Sequence, residues 1–103
     1  MQKSIQTEPA GWSAGSSAGA NTYVLYAVSQ AGAAAPGDGG FGNAATKFAA
    51  SSALNSLTDA SATQAALGPT SGTTNLFYKL DMPTMTSTQA SRTITVRYTG
   101  TAQ

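Results

Sequence analysis

The chain of 103 residues contains no cysteine and no histidine. Without cysteine it can form no disulfide, no thiolate metal site and no cysteine nucleophile. Without histidine it lacks the most common general base and the most common metal ligand of proteins. These absences predict a protein that is not an enzyme, with no catalytic residue, no metal site and no cofactor. Its stability is then expected to come from packing and strand pairing.

Charge is also scarce. Charged residues make up 9% of the chain, against about 25% in an ordinary soluble domain, and the formal net charge is +1. This leaves no basic surface for phosphate groups, so nucleic acid is excluded as an expected partner. Because copies of the chain repel one another only weakly, the expected partners are other copies of the same chain.

Long apolar runs are missing as well. No run approaches the ~20 residues that a membrane helix needs, so no membrane span is predicted. Residues 1–10 are polar and contain no signal-peptide core, so an exported form is expected to have lost a signal or to begin inside a longer precursor. Alanine, glycine, serine and threonine form more than half of the chain. Such small residues are typical of exported coats and fibres, and they predict an extracellular or cell-surface location.

The residues that are present predict one all-β domain over residues 1–103. Three segments have the composition of strands, and they are Thr22–Ser29, Asn75–Asp81 and Thr93–Thr99. The first is apolar on both faces, which is typical of a strand in the middle of a sheet, or of a strand with one face on the core and the other against a neighbour. The segment around Ile5 is a fourth, weaker strand.

The second strand alternates in polarity. Leu76, Tyr78 and Leu80 share one face, and this face is predicted to point inward. The third strand alternates in the same way. We expect these two strands to pair as an antiparallel hairpin across the Thr84–Ser91 connection.

The long stretch of small residues between the first two strong strands is less regular. Phe41 and Phe48 are its predicted anchors. The alanines and leucines of Ala44–Leu67 favour a short helix, although the many serines and threonines weaken that preference. The alternative is an irregular loop with a short strand near Asp59–Ala66.

Several segments form a distinctive series, and they are Gly11 and Trp12, Gly15 and Gly19, Asn21–Leu25, Phe41 and Gly42, Asn75–Leu80, Met82–Thr84 and Thr93–Val96. Together they resemble the later part of uncharacterised bacterial surface β-sandwich domains. Those domains end in a pattern of leucine and an aromatic residue, then proline and threonine, then isoleucine, threonine and valine.

The resemblance implies an antiparallel immunoglobulin-like β-sandwich in which further strands precede the glycine and tryptophan. Such a sandwich usually has about seven strands, whereas three strong strands and one weak strand are readable here. Residues 1–12 are therefore predicted to be an extended or exchanged arm. An arm of this kind, around Ser4–Thr7, would complete a sheet of the next copy.

The predicted function is that of a non-catalytic structural subunit, which self-assembles into an extracellular filament or surface layer by strand exchange or close β packing. The predicted contacts between subunits are Ile5, Trp12, Tyr23, Leu25 and Phe77. One alternative is a structural protein of a phage virion, such as a decoration or tail protein. Another is a carbohydrate-binding β-sandwich, whose stacking platform would use Trp12 and the tyrosines.

The four acidic residues form no recognisable catalytic or metal-binding motif in the sequence. Glu8, Asp38, Asp59 and Asp81 are scattered singly, so a carboxylate pair for glycoside hydrolysis would have to be assembled by the fold. Asp38 lies among glycines, but a calcium loop needs several oxygen-bearing side chains at alternate positions. Turn residues that bond to their own backbone are the simpler interpretation.

Overall fold

A computed structural model of the chain describes residues 1–30, 36–49, 53–59, 74–86 and 91–100. Within these ranges the protein is all-β, as predicted, with two small sheets and no α-helix. The strands are β1 Gln2–Thr7, β2 Ser13–Ala14, β3 Thr22–Gln30, β4 Asn55–Ser56, β5 Thr58–Asp59, β6 Asn75–Asp81 and β7 Thr95–Thr99.

The first sheet has the order β4-β1-β7 and is antiparallel throughout. β1 is its central strand, with Ile5 opposite Val96 of β7 and Lys3 opposite Asn55 of β4. The register of β1 and β7 shifts between Ile5 and Thr7, which is the sign of a bulge. The segment that the sequence presented as a weak strand is thus fully integrated into a sheet.

The second sheet is built around β3. β6 pairs with β3 in antiparallel fashion from Val24 to Gln30. The opposite edge of β3 takes β2 at its start and β5 near its end, both parallel, and Lys47 forms a bridge to Tyr26 between them. The prediction that this strand lies in the middle of a sheet is confirmed. Neighbours on both edges and apolar clusters on both faces account for its continuous apolar run.

The predicted hairpin of β6 and β7 is wrong. β6 pairs with β3, and β7 pairs with β1, so the two strands belong to different sheets. Leu76 of β6 and Val96 of β7 pack against the same core cluster. The physical reason is that strands in facing sheets bury apolar side chains in the core between the sheets, whereas a hairpin would leave both strands on one side of that core.

The main core lies between the sheets. Its buried members are Ile5, Trp12, Ala14, Tyr23, Leu25, Ala27, Phe48 and Leu57. The intervening residues of β3 point to the other face of their sheet, where Val24, Tyr26 and Val28 form a second cluster with Phe41 and with the partly buried Phe77. Phe41 and Phe48 are both buried, which confirms them as anchors of the long connection.

The connection between β3 and β6 contains two 3-10 helices, Asp38–Phe41 and Ala44–Thr46. The Asn43 side chain accepts a hydrogen bond from the Ala45 amide and so caps the second. Within the described part of Ala44–Leu67 this single turn is the only helix. β5 ends at Asp59, which is the first residue of the predicted strand near Asp59–Ala66. The rest of that predicted strand falls within residues 60–73, which lie outside the described ranges.

Candidate assembly surfaces

The carboxylates of Glu8 and Asp81 have partners within the chain. A Glu8 oxygen accepts a hydrogen bond from the Ala14 amide at 2.7 Å, and Asp81 Oδ2 accepts one from the Tyr26 hydroxyl at 2.9 Å. Lys79 Nζ lies 3.7 Å from the other oxygen of Asp81. Across the described ranges, no three acidic residues come close enough to hold a metal ion.

The five predicted contact residues lie largely inside the chain. Ile5 and Tyr23 are completely buried, Leu25 and Trp12 are less than one tenth exposed, and Phe77 is partly buried. The fold brings the first four together in the core between the sheets, and it places Phe77 in the second cluster. Their contact with a second subunit stays a prediction, and for a buried side chain it would require a strand to leave its own sheet.

β1 contributes three consecutive buried residues, Lys3, Ser4 and Ile5. Lys3 is completely buried, although a lysine is ordinarily expected at the surface. Strand alternation contains a signal for this burial, because positions 3 and 5 share one face of a strand and Ile5 is the apolar residue of that face. The buried Lys3 side chain therefore joins β1 to other parts of the chain through hydrogen bonds of a charged group.

The ammonium of Lys3 is held without a carboxylate. It donates hydrogen bonds to the backbone oxygens of Ala45 at 3.0 Å and Ser56 at 2.7 Å, and it lies 5.6 Å from the centre of the Phe48 ring. Because burial removes water from the ammonium, the pKa of Lys3 falls from 10.5 to about 8. The carbonyls belong to the second 3-10 helix and to β4, so Lys3 links β1 to both.

One side of the molecule is closed by the chain itself. β4 belongs to the first sheet and β5 to the second, and only Leu57 separates them. Leu57 is completely buried and belongs to the core cluster. The chain therefore crosses between the sheets here, as at the corner of a sandwich.

The opposite side is formed by β6 and β7, each the outer strand of its sheet among the residues that the structure describes. The hydroxyls of Tyr78 and Tyr98 are 2.6 Å apart and join the two strands. The Tyr98 ring packs edge-on against Phe48 at 6.4 Å. Burial, followed by the hydrogen bond with Tyr78, raises the pKa of Tyr98. We call this side, formed by β6 and β7, the open side.

The open side exposes large apolar residues of β6. Tyr78 is 48% exposed and Leu80 is 41% exposed. The prediction that Leu76, Tyr78 and Leu80 all point into the core is therefore wrong for the last two. Leu76 does pack against the core, but the described strands of the first sheet leave the other two uncovered. Immediately beyond β6, Met82 is also more than half exposed.

Comparison with protein-family models, with curated proteins and with solved structures found no match. The resemblance to bacterial surface domains therefore stays a prediction. In the part of the chain that the structure covers, no helix is long and apolar enough to cross a membrane.

The aromatic residues considered for glycan binding are mostly enclosed. The Trp12 ring lies 6.2 Å from Tyr23, beneath the Arg92 guanidinium at 5.6 Å, and its Nε1 donates to the Thr86 hydroxyl. A stacking platform needs an accessible ring face. Of Trp12 and the four tyrosines, only Tyr78 is substantially exposed, so a glycan site would have to use the open side.

Proposed function

We propose that this chain is a non-catalytic structural subunit that assembles with copies of itself into an extracellular filament or surface layer. Its fold is then an incomplete immunoglobulin-like β-sandwich. The incomplete sandwich is supported by two sheets that share one core. The chain crosses between these sheets on one side, and the outer strands β6 and β7 lie on the other. Sparse charge and abundant small residues favour dense packing of copies.

The observation that carries the proposal is the open side. A strand at the edge of a sheet offers unpaired N–H and C=O groups, and natural monomers usually protect such strands with charge, proline or a covering segment. β6 instead presents Tyr78 and Leu80, which are 48% and 41% exposed. Contact with a second subunit would bury this apolar surface.

Exchange of β1 supplies the link between subunits. β1 fills the slot between β4 and β7 of its own chain, and a second copy offers the same slot with the same register. Exchange therefore preserves every contact of Lys3, Ser4 and Ile5, and it changes only the connection Glu8–Trp12. That connection contains a turn in which the Trp12 amide donates to the Pro9 oxygen and Gly11 has a φ of +79°. Repeated head-to-tail exchange produces a filament.

A disulfide between β1 and β7 is expected to reveal the exchange. Gln2 and Thr99 are directly opposite and both exposed, and the chain has no cysteine of its own. Opposite residues in a sheet lie within the distance that a disulfide spans. After oxidation of assembled Gln2→Cys/Thr99→Cys protein, we expect a ladder of covalent multimers on a non-reducing denaturing gel.

The single variant Gln2→Cys is the matched control, and it should form no multimer larger than a dimer. If the double variant yields only internally crosslinked monomer, β1 stays in its own sheet and strand exchange is wrong. If the wild-type chain remains a monodisperse monomer at high concentration and physiological salt, self-assembly as a whole is wrong.

The assembly is expected to resist salt. Backbone pairing and apolar contact dominate both the β1 slot and the open side, and the ion pair Lys79–Asp81 is internal to one strand. At roughly 1 M salt the Debye length falls to about 3 Å, which screens contacts between exposed charges. Sedimentation velocity should show assemblies of unchanged or larger size. Dissociation on addition of salt would contradict a link made by strand pairing.

A further inference from the structure

We infer that β6 pairs with β6 of a second copy in antiparallel register about a two-fold axis at Tyr78. The two copies would then share one continuous sheet with the order β3-β6-β6-β3. The inference rests on the proposed self-assembly, and it specifies the partner and the register at the open side.

The sequence of β6 is complementary to itself in this register. Tyr78 lies opposite Tyr78 of the second copy, Leu76 lies opposite Leu80, and Phe77 lies opposite Lys79. The pairs Tyr78–Tyr78 and Leu76–Leu80 join aromatic or apolar side chains, Asn75 lies opposite Asp81, and no charge faces a like charge. Aromatic and apolar cross-strand pairs stabilise antiparallel sheets, whereas like charges directly opposite destabilise them.

The ammonium of Lys79, the lysine of β6, lies over the neighbouring strand β3 and not over the outer edge of β6. Lys79 lies opposite Tyr26 of β3, and its ammonium is 5.1 Å from the centre of the Tyr26 ring. It also lies 3.7 Å from Asp81 of its own strand. A lysine protects an edge when its charge stands over that edge in water. Here the charge rests over the interior of its own sheet, so β6 lacks this protection.

The other face of β6 provides the apolar contact. Tyr78 and Leu80 are about half exposed, and in the two-fold register they meet Tyr78 and Leu76 of the second copy. Within the described ranges β6 pairs with β3 alone. An isologous contact closes after two copies, so this pairing would join two filaments side by side instead of extending one.

Single cysteines test the register directly. In Tyr78→Cys, each cysteine faces its counterpart across the two-fold axis, so oxidation should give a covalent dimer and no larger species. In Leu80→Cys, each cysteine faces Leu76, and the two cysteines are about 13 Å apart along the strands. That separation exceeds the ~7 Å limit for the Cα atoms of a disulfide, so no dimer is expected.

A charge substitution tests the same contact without oxidation. Leu80→Lys sets an ammonium against Leu76 at two symmetry-related places, so we expect it to weaken dimerisation by about tenfold or more in sedimentation equilibrium. The matched control is Met85→Lys, which adds the same charge at a residue that is 69% exposed and outside β6. Circular dichroism should confirm that both variants remain folded.

The outcomes distinguish this inference from strand exchange. A covalent dimer of Tyr78→Cys that Leu80→Cys does not form supports the two-fold register, and equal crosslinking of both variants overturns it. If the Gln2→Cys/Thr99→Cys ladder forms while Tyr78→Cys gives no dimer, the pairing of β6 is wrong and strand exchange stands. If the Tyr78→Cys dimer forms without the ladder, strand exchange is wrong and the pairing stands.

Discussion

Replacing Ile5 with alanine is expected to lower the free energy of unfolding by about 2–5 kcal/mol. The Ile5 side chain is completely buried, and it packs with Tyr23, Leu25 and other members of the core between the sheets. Its truncation removes apolar contacts and leaves a cavity that the neighbouring strands can fill only in part. Since a domain of this size is stable by roughly 5–15 kcal/mol, the loss should be evident in urea denaturation followed by circular dichroism.

Gln6→Ala is the matched control, because Gln6 is adjacent in β1 and exposed. Substitutions at exposed positions usually change stability by less than about 0.5 kcal/mol. If Ile5→Ala costs no more than Gln6→Ala, β1 does not belong to the core. In an exchanged assembly β1 would occupy the same position between β4 and β7 of a second copy. Ile5→Ala should therefore destabilise filaments and monomers alike.

Deletion of Met1–Thr7 is expected to have a large effect on the fold. The sequence alone predicted only that residues 1–12 form an extended or exchanged arm. In the structure the deletion removes the central strand of the first sheet together with Lys3 and Ile5. The truncated chain is therefore expected to lose its fold, and for this reason the disulfide between Gln2→Cys and Thr99→Cys is the sharper test of exchange.

Raising the pH from 8 to 10 is expected to stabilise the protein through Lys3. The pKa of this lysine is about 8 in the folded chain and 10.5 in the unfolded chain. Between these values the unfolded state retains a proton that the folded state has released, so the free energy of unfolding increases with pH. The full difference between the two pKa values corresponds to an upper limit of about 3 kcal/mol.

Above pH 10 the buried tyrosines are expected to make the free energy of unfolding decrease as the pH rises. Burial, with a smaller effect of the Glu8 charge, raises the pKa of Tyr23 to about 12 from an ordinary value of 10.0. Burial also raises the pKa of Tyr26 and of Tyr98, and hydrogen bonds to Asp81 and to Tyr78, respectively, add to the effect. Here the unfolded state loses its protons first, so stability decreases as the pH rises further. Maximum stability is therefore expected near pH 10.

Urea denaturation at a series of pH values measures this profile. In Lys3→Met the increase between pH 8 and pH 10 should disappear, because the titrating group is gone. Lys47→Met is the control, since it removes a partly exposed lysine and leaves Lys3 in place. A wild-type protein whose stability stays level or decreases from pH 8 to pH 10 would show that the Lys3 ammonium is not desolvated as the structure indicates.

Several features of the fold were predictable from local patterns. The continuous apolar run of β3 indicated a central strand, and its place between β6 on one edge and β2 and β5 on the other confirms this. Phe41 and Phe48 were identified as anchors because they are large apolar residues in a stretch of small ones, and both are buried. These inferences needed only the residue type and its immediate neighbours.

Other features depended on contacts between distant segments. The pairing of β6 was mispredicted because strand alternation contains no information about which strand lies alongside. The exposure of Leu80 was missed for a related reason, since alternation shows which residues share a face but not how far the opposite sheet extends. Lys3 was missed because its burial requires carbonyls from Ala45 and Ser56, more than 40 positions away.

The sequence by itself determined that thiol and imidazole chemistry are absent, that charge is sparse, and that the chain forms β-strands with defined apolar faces. Composition and a period of two residues are local properties, and they can be read without a fold. Only the tertiary structure decided that β1 fills the slot between β4 and β7, that Lys3 is buried, and that Tyr78 and Leu80 stay exposed on the open side. These outcomes depend on which distant segments meet, because burial and hydrogen bonding are properties of the assembled neighbours and not of any single strand.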